Sequence, residues 1–373
     1  MVRLLLLDIF QWFGLLLGLT SYRRIDDRFI QTRIARAYAL IINIFSVAMQ
    51  PMAFLRLANS VSVDAWLPRC MWITPYVLYA VNYAVIVHTL ILRGYRDRIQ
   101  LELHKFNVQL KHEMGRTQNK VNLKLRRLFY TKTLTTLYLL LCTILEVLLF
   151  NEDYSTTAIF DLILTYYGSL ILISSTHCYF VSLWQVARGY DFLHQQLEEL
   201  ISTRSPLTSG YTEELRSLWS LHASLSRTAQ KINRIYGRQM LASRFDYIIF
   251  SVITSYTAII YTLSDPGPLF AKYFGAFYGI RTLDFFMTDY ICDLMCEYQR
   301  MPKDTVSEVS VMSNELSSYV IYQNSMHLNL RVCGLFPANR KQWLNMMGAI
   351  LCHSIMLLQY HLMMTAKPDL QNK

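Results

Sequence analysis

The sequence predicts an all-α membrane protein with seven transmembrane helices, a cytoplasmic N-terminus and an extracellular C-terminus. Three observations carry that prediction. Hydrophobic residues make up 53% of the 373 positions and charged residues only 17%, where a soluble domain usually has about a quarter charged. Apolar stretches of bilayer length recur along the chain. The basic residues are concentrated in alternate connections between those stretches.

A span needs about 20 mainly apolar residues. Seven stretches meet this: 36–57, 70–92, 131–150, 158–183, 245–264, 269–292 and 342–363. An additional run from Leu4 to Leu19 is interrupted by Asp8 and Gln11. It reads as a short re-entrant or interfacial helix within a cytoplasmic segment 1–35, and its basic start at Arg3 also resembles a signal peptide. Thirty Lys and Arg fall in 1–36, 93–132, 184–244 and 293–341, against five in 56–69, 151–157, 264–272 and the tail. Basic residues accumulate on the cytoplasmic side, so the net charge of +10 is explained by the bilayer and calls for no nucleic acid.

The resulting organisation places spans one to four in 36–183, with a basic cytoplasmic connection at 93–130. A helical cytoplasmic segment follows at 184–244, then spans five and six in 245–292. A second helical cytoplasmic segment occupies 293–341, the last span 342–363, and an extracellular tail 364–373. Segment 184–244 reads as two amphipathic helices broken at Ser205-Pro206-Leu207-Thr208-Ser209-Gly210. In its second half Leu215, Leu218, Leu221, Leu225, Ile232 and Ile235 approach helical spacing, so this helix is expected to run on into the fifth span. Segment 304–335 is expected to behave similarly before the last span. Ser264-Asp265-Pro266-Gly267-Pro268 and Asn151-Glu152-Asp153 read as short outer turns.

With this orientation the outer halves of the spans collect polar-tipped aromatics. Trp72, Tyr76, Tyr79 and Tyr83 share one face of span two; Tyr166 and Tyr167 lie in span four, Tyr256 in span five and Tyr278 in span six. Such residues suit amphipathic or cationic small molecules through stacking and cation–π contact. They equally populate membrane interfaces and helix contacts. Among charges within the spans, Arg281 and Asp284 stand three apart and read as an intrahelical pair. Asp289 and Asp293 lie toward the inner surface and read as solvated. Glu146 has no local basic partner and is the strongest candidate for a functional charge.

On the last span Asn345, Gly348, Cys352, Ile355 and Gln359 fall on one helical face. A Gln beside a narrow water path solvates a cation through its carbonyl, whereas one facing lipid is costly. A hydrogen bond from Gln359 to a neighbouring helix of the same subunit is the alternative. Cys292 and Cys296 are four apart, one helical turn, which is not a metal clip. With no hydrolase triad, phosphate loop or ligand cluster, neither enzyme activity nor a cofactor or metal is expected.

Two regions resemble the insect gustatory receptor family. One is Leu218 to Leu241, with Lys231-Ile232-Asn233-Arg234-Ile235-Tyr236-Gly237 ahead of a span; the other runs from His327 through Gly334-Leu335-Phe336 to Gln359. In that family the last span carries Thr-Tyr, five apolar residues, then Gln-Phe. This chain keeps Gln359 and has Cys352, His353 and Tyr360 at the other three positions. Ser354 stands where the sugar-sensing branch has Glu, so the resemblance implies a bitter-type or orphan receptor. It further implies a ligand-gated non-selective cation channel, a homo- or heterotetramer with related subunits, in the plasma membrane of sensory neurons. Its pore would be lined by the last span, with Cys352, Ile355, Gln359 and Tyr360 at or beside the gate. The small-molecule tastant would contact Trp72, Tyr76, Tyr79, Tyr83, Glu146, Tyr166, Tyr167, Tyr256 and Tyr278. A non-conducting co-receptor, a metabotropic receptor and a solute transporter are the competing classes.

Overall fold

The computed structural model describes residues 2–25, 28–60, 122–149, 156–203, 210–263, 268–300 and 314–371, with short helical pieces between 76 and 108. Eight helices carry the architecture among the described residues: α1 (Val2–Leu16), α2 (Arg33–Ser60), α3 (Leu123–Leu149), α4 (Thr156–Thr203), α5 (Tyr211–Leu263), α6 (Pro268–Tyr298), α7 (Asn314–Ser325) and α8 (Arg340–Gln371). Two antiparallel hairpins accompany them. β1 (Arg23–Ile25) pairs with β2 (Arg28–Ile30), and β3 (Arg331–Val332) with β4 (Phe336–Pro337).

Local chemistry sets the ends of these helices. Thr32 caps α2 by accepting from the Ala35 amide at 3.1 Å, Asn122 caps α3 through Lys124 at 3.0 Å, and Asn339 caps α8 through Gln342 at 2.8 Å. Pro268 opens α6, where its missing N–H leaves no bond unmade. Gly210, at φ +95°, starts α5, whose first turn carries Glu213 and Glu214 against the helix dipole.

The 48 residues of α4 and 53 of α5 extend, at 1.5 Å per residue, to about 70–80 Å, more than twice a hydrocarbon core of about 30 Å. Segment 184–244 is therefore the continuation of both helices, broken between Thr203 and Tyr211. The other connection departs from the expected pattern. α7 is only 12 residues long, and the chain reaches α8 through β3 and β4 rather than through a long helix. The fold is helical as expected, with the two short hairpins added to it.

The largest core lies where α3, α4, α5 and α6 meet the β3–β4 hairpin. It contains Phe129, Phe180, Trp184, Tyr190, Ile232, Tyr236, Ile291, Met295, Leu330 and Val332. Part of this core, including Ile232, Tyr236, Leu330 and Val332, comes from outside the seven apolar stretches. Elsewhere the apolar faces point outward, as on α2 at Ile34, Ile41 and Ile44 and on α8 at Leu351 and Met356. Among the described residues, three helical stretches, Arg33–Met52, Leu123–Leu145 and Tyr166–Ser202, are long and apolar enough to cross a membrane. Stretches 245–264, 269–292 and 342–363 fall on α5, α6 and α8. Most of 70–92, and the turns at 151–155 and 264–267, lie outside the described residues.

α1 is held against the bundle. Phe10 stacks on His177 of α4 at 4.0 Å, and Tyr167 Oη donates to the Leu17 carbonyl at 2.9 Å. Gly18 closes this contact at φ +69°, where a Cβ would lie 2.5 Å from Asn43 Oδ1. Gly18→Ala is expected to cost about 1–2 kcal/mol from the left-handed backbone alone, and more from the clash. Thermal melting of the detergent-solubilised protein, followed by size-exclusion chromatography, should show the loss, and an unchanged midpoint would refute this account.

Candidate functional site

The last helix and the elements that hold it form the candidate site. α8 begins with Arg340, which pairs with Asp293 of α6 and lies 5.3 Å from the Tyr290 ring. Trp343 meets Phe286 edge-on at 5.0 Å. Tyr247 of α5 stacks on Phe285 at 4.6 Å and its hydroxyl contacts Met347 Sδ at 3.4 Å. Met346, Ile350 and Ser354 form the buried face of α8, against α5 and α6. Asn345, Gly348, Cys352, Ile355 and Gln359 lie off that face and are exposed. Ile355 and Tyr360 are 52% and 47% exposed.

Below α8, the hairpin that feeds it is docked onto α5 by the residues of the Lys231–Gly237 segment. Asn233 Nδ2 donates to the Arg331 carbonyl at 2.9 Å, and its Oδ1 accepts from Tyr179 of α4 at 3.1 Å. Tyr236 is buried and tilted against Tyr179 at 5.6 Å. A Cβ on Gly237 would sit 3.4 Å from the Cys333 nitrogen, so a small residue lets the hairpin tip approach. Cys333 at φ 50° and Gly334 at φ 76° turn the tip, and Leu335 N–H closes it on the Val332 carbonyl at 2.9 Å.

Buried charges join α6 to α3 and α5. Lys132 of α3 contacts Asp284 at 2.6 Å and Thr288 at 2.9 Å, while Thr135 and Thr136 donate to the other Asp284 oxygen at 2.8 and 3.0 Å. Arg244 of α5 pairs with Asp289, the two side chains being 3% and 0% exposed. Arg244 also lies over the Phe285 and Phe336 rings at 5.5 and 5.1 Å. Arg281 pairs with Asp246 and sits 3.9 Å from the Phe250 ring.

These pairs correct two expectations. Arg281 and Asp284 do not pair with each other, because each finds a partner on a different helix with better hydrogen bonding. Asp289 and Asp293 are not simply solvated; they hold Arg244 and Arg340. Sequence reasoning missed Lys132 and Arg244 by counting both with the basic connections. Their signal was position: each stands at the edge of an apolar stretch, one residue inside or outside it.

Of the proposed aromatic contacts, two serve backbone carbonyls beside one cluster that includes Leu17 and Ile86. Tyr83 Oη donates to the Val47 carbonyl at 3.3 Å, and Tyr167 serves the Leu17 carbonyl. Tyr76, Tyr166 and Tyr278 are half-buried and Tyr256 is buried. Trp72, Tyr79 and the side chain of Glu146 lie outside the described residues.

This arrangement of long helices around a docked terminal helix matches known proteins. The sequence profile described as "7tm Chemosensory receptor" matches residues 5–364. The chain belongs to the 7tm chemosensory receptor family. A Drosophila erecta sequence provisionally named gustatory receptor 59b is 47% identical over 300 residues, 80% of this chain. The match spans 51% of that relative's length, so this chain corresponds to about half of it. The fold matches the insect olfactory receptor OR5 of Machilis hrabei solved in complex with eugenol, with a TM-score of 0.63 at 12% identity over 96% of this chain and 99% of the other. A second OR5 structure gives 0.62 at 12% identity over 95% and 99%.

Breaking a buried pair strands a charge and costs about 3–5 kcal/mol. Asp289→Ala should therefore lower the melting midpoint sharply. Adding Arg244→Met to it should restore most of the loss. Additive losses in the double variant would show that the two side chains do not act as a pair.

Proposed function

We propose that the chain is a gustatory chemoreceptor subunit, a ligand-gated non-selective cation channel for bitter or otherwise aversive small molecules. The observation that carries this reading is α8. One face is packed on α5 and α6, while Asn345, Gly348, Cys352, Ile355 and Gln359 are left exposed by the chain's own fold. A polar line on a membrane helix is stable beside water or another polar surface, and a central path among four copies supplies both. In this reading Ile355, Gln359 and Tyr360 form the gate, with Cys352 one turn below. The seven spans start in the cytoplasm and end outside, the disposition that the distribution of Lys and Arg favours.

A small molecule bound among the outer halves of the spans opens the channel only if it binds the open state more tightly than the closed one. Movement of α5 and α6 would reach α8 through Tyr247–Met347, Phe286–Trp343 and Arg340–Asp293. The likeness to a receptor solved with eugenol supports a small organic ligand. Cys352, His353 and Tyr360 depart from the family's usual last span, which favours one second reading: a subunit that conducts only with a related partner.

Voltage clamp of cells expressing the chain, challenged with sugars, bitter compounds and amines, tests the proposal. A bitter compound should evoke a cation current whose ion selectivity shifts in Gln359→Ala. Surface expression with silence alone, and current only beside a related subunit, would establish the second reading. A C-terminal epitope should stain on intact cells; staining only after permeabilisation would overturn the topology and return the chain to the metabotropic class.

A further inference from the structure

Gln299, just past α6, gathers the chain that leads into α8. Its Nε2 donates to the Met326 carbonyl at 2.5 Å, and its Oε1 accepts from the Leu328 amide at 2.7 Å. Its backbone carbonyl accepts from Gln323 Nε2 and from His222 Nε2, both at 3.1 Å. Residues 326–328 are thereby fixed to the end of α6. Two residues on, the Leu330 carbonyl accepts the Ala338 amide at 2.9 Å, closing the base of the hairpin before α8. His222 is the contribution of α5 to this clasp.

The surroundings of His222 suit only its neutral form. The side chain is fully buried. Tyr190 of α4 lies 5.3 Å from its ring, and Tyr319 and Tyr322 of α7 lie 6.1 and 5.9 Å away. His194 approaches from α4, its ring 6.5 Å from that of Tyr298. None of these groups is a carboxylate. Because Nε2 must donate to the Gln299 carbonyl, a neutral ring carries its lone pair on Nδ1, and Nδ1 is buried without a hydrogen-bond partner among the described residues. His194 Nε2, Tyr319 Oη and Gln323 Oε1 share that condition. A proton added at Nδ1 puts a cation among phenol rings, amides and a second histidine.

We propose that His222 makes this clasp proton-sensitive, so that acid on the side of the membrane bearing Gln299 loosens residues 326–330 and with them the lead-in to α8. The proposal rests on the topology above only for the compartment that supplies the proton, which would be the cytoplasm. Burial holds the His222 pKa below its ordinary value. The sign follows from linkage: the clasped state binds fewer protons than the opened one. Its stability is therefore full above the ordinary histidine value and falls as the pH drops below it.

Hydrogen exchange on the full-length protein in nanodiscs of neutral lipid tests this without an agonist and without reference to orientation. An opened clasp with a histidine of ordinary pKa, about 6.5, gains population between pH 7.5 and 5.5, by about tenfold at most. After correction for the intrinsic pH dependence of exchange, protection of 326–330 should fall in the unaltered protein, by up to about tenfold. In His222→Gln it should stay flat, whereas His194→Gln should retain most of the response. Unchanged protection in the unaltered protein overturns the proposal even if no variant folds. So does a response that survives in His222→Gln, or one abolished by His194→Gln alone. A C-terminus found inside would move the proton source to the other compartment and leave the exchange result standing.

Discussion

The structure turns on three aspartates of α6. Asp284, Asp289 and Asp293 take cations from α3, α5 and α8 in turn: Lys132, Arg244 and Arg340. A buried ion pair offers little stability over a well-packed apolar substitute, because desolvation offsets most of the attraction. What it does offer is discrimination between packings. A slip of α3 or α5 by one turn along α6 would leave a carboxylate and a cation apart in an apolar interior, a loss far larger than that of any single methyl contact. The two buried pairs, Lys132–Asp284 and Arg244–Asp289, fix the heights of α3 and α5 against α6, and the more exposed Arg340–Asp293 pair adds a weaker tie to α8.

Much of the fold was legible in the sequence because its signals are local. Leu215, Leu225 and Ile232 mark a helical face by spacing alone, and the structure buries all three. The break between Thr203 and Tyr211 follows from a Pro and Gly cluster. The ion pairs were not legible, since Lys132 and Asp284 are 152 residues apart and the position of Lys132 at the edge of an apolar stretch does not say which helix it meets. The spacing of Arg281 and Asp284 pointed to a pairing that interhelical hydrogen bonding overrode. The two hairpins were missed for a related reason: strands of two or three residues give no usable alternation.

The Lys231–Gly237 segment supported the family resemblance, and the structure gives it a physical role. Ile232 and Tyr236 face the core, Asn233 satisfies a carbonyl of the hairpin, and Gly237 admits the hairpin tip. The segment is thus a docking surface for the chain that enters α8. Of the candidate site itself, the exposed face of α8 could be read from periodicity, but its anchoring could not. Phe286, Tyr290 and Tyr247 come from helices distant in sequence.

That anchoring is lopsided, and the asymmetry has a mechanical consequence. Among the described residues of α8 none after Ser354 is buried, whereas Met346, Ile350 and Ser354 all are. The helix is held over its first half and offers its second half to whatever lies beside the chain. Ser354 Oγ donates back to the Ile350 carbonyl at 2.8 Å, a bond that favours a slight bend at the boundary between the halves. From Arg340 to Gln359 the helix rises about 28 Å at 1.5 Å per residue. A tilt of about 5° at the anchored end therefore carries Gln359 sideways by about 2–3 Å, given that rise. A displacement of that size is comparable to the diameter of a water molecule, about 2.8 Å. Small adjustments where α8 meets Asp293, Phe286 and Tyr247 are thus large at Ile355, Gln359 and Tyr360, without any change in the packing of the core below.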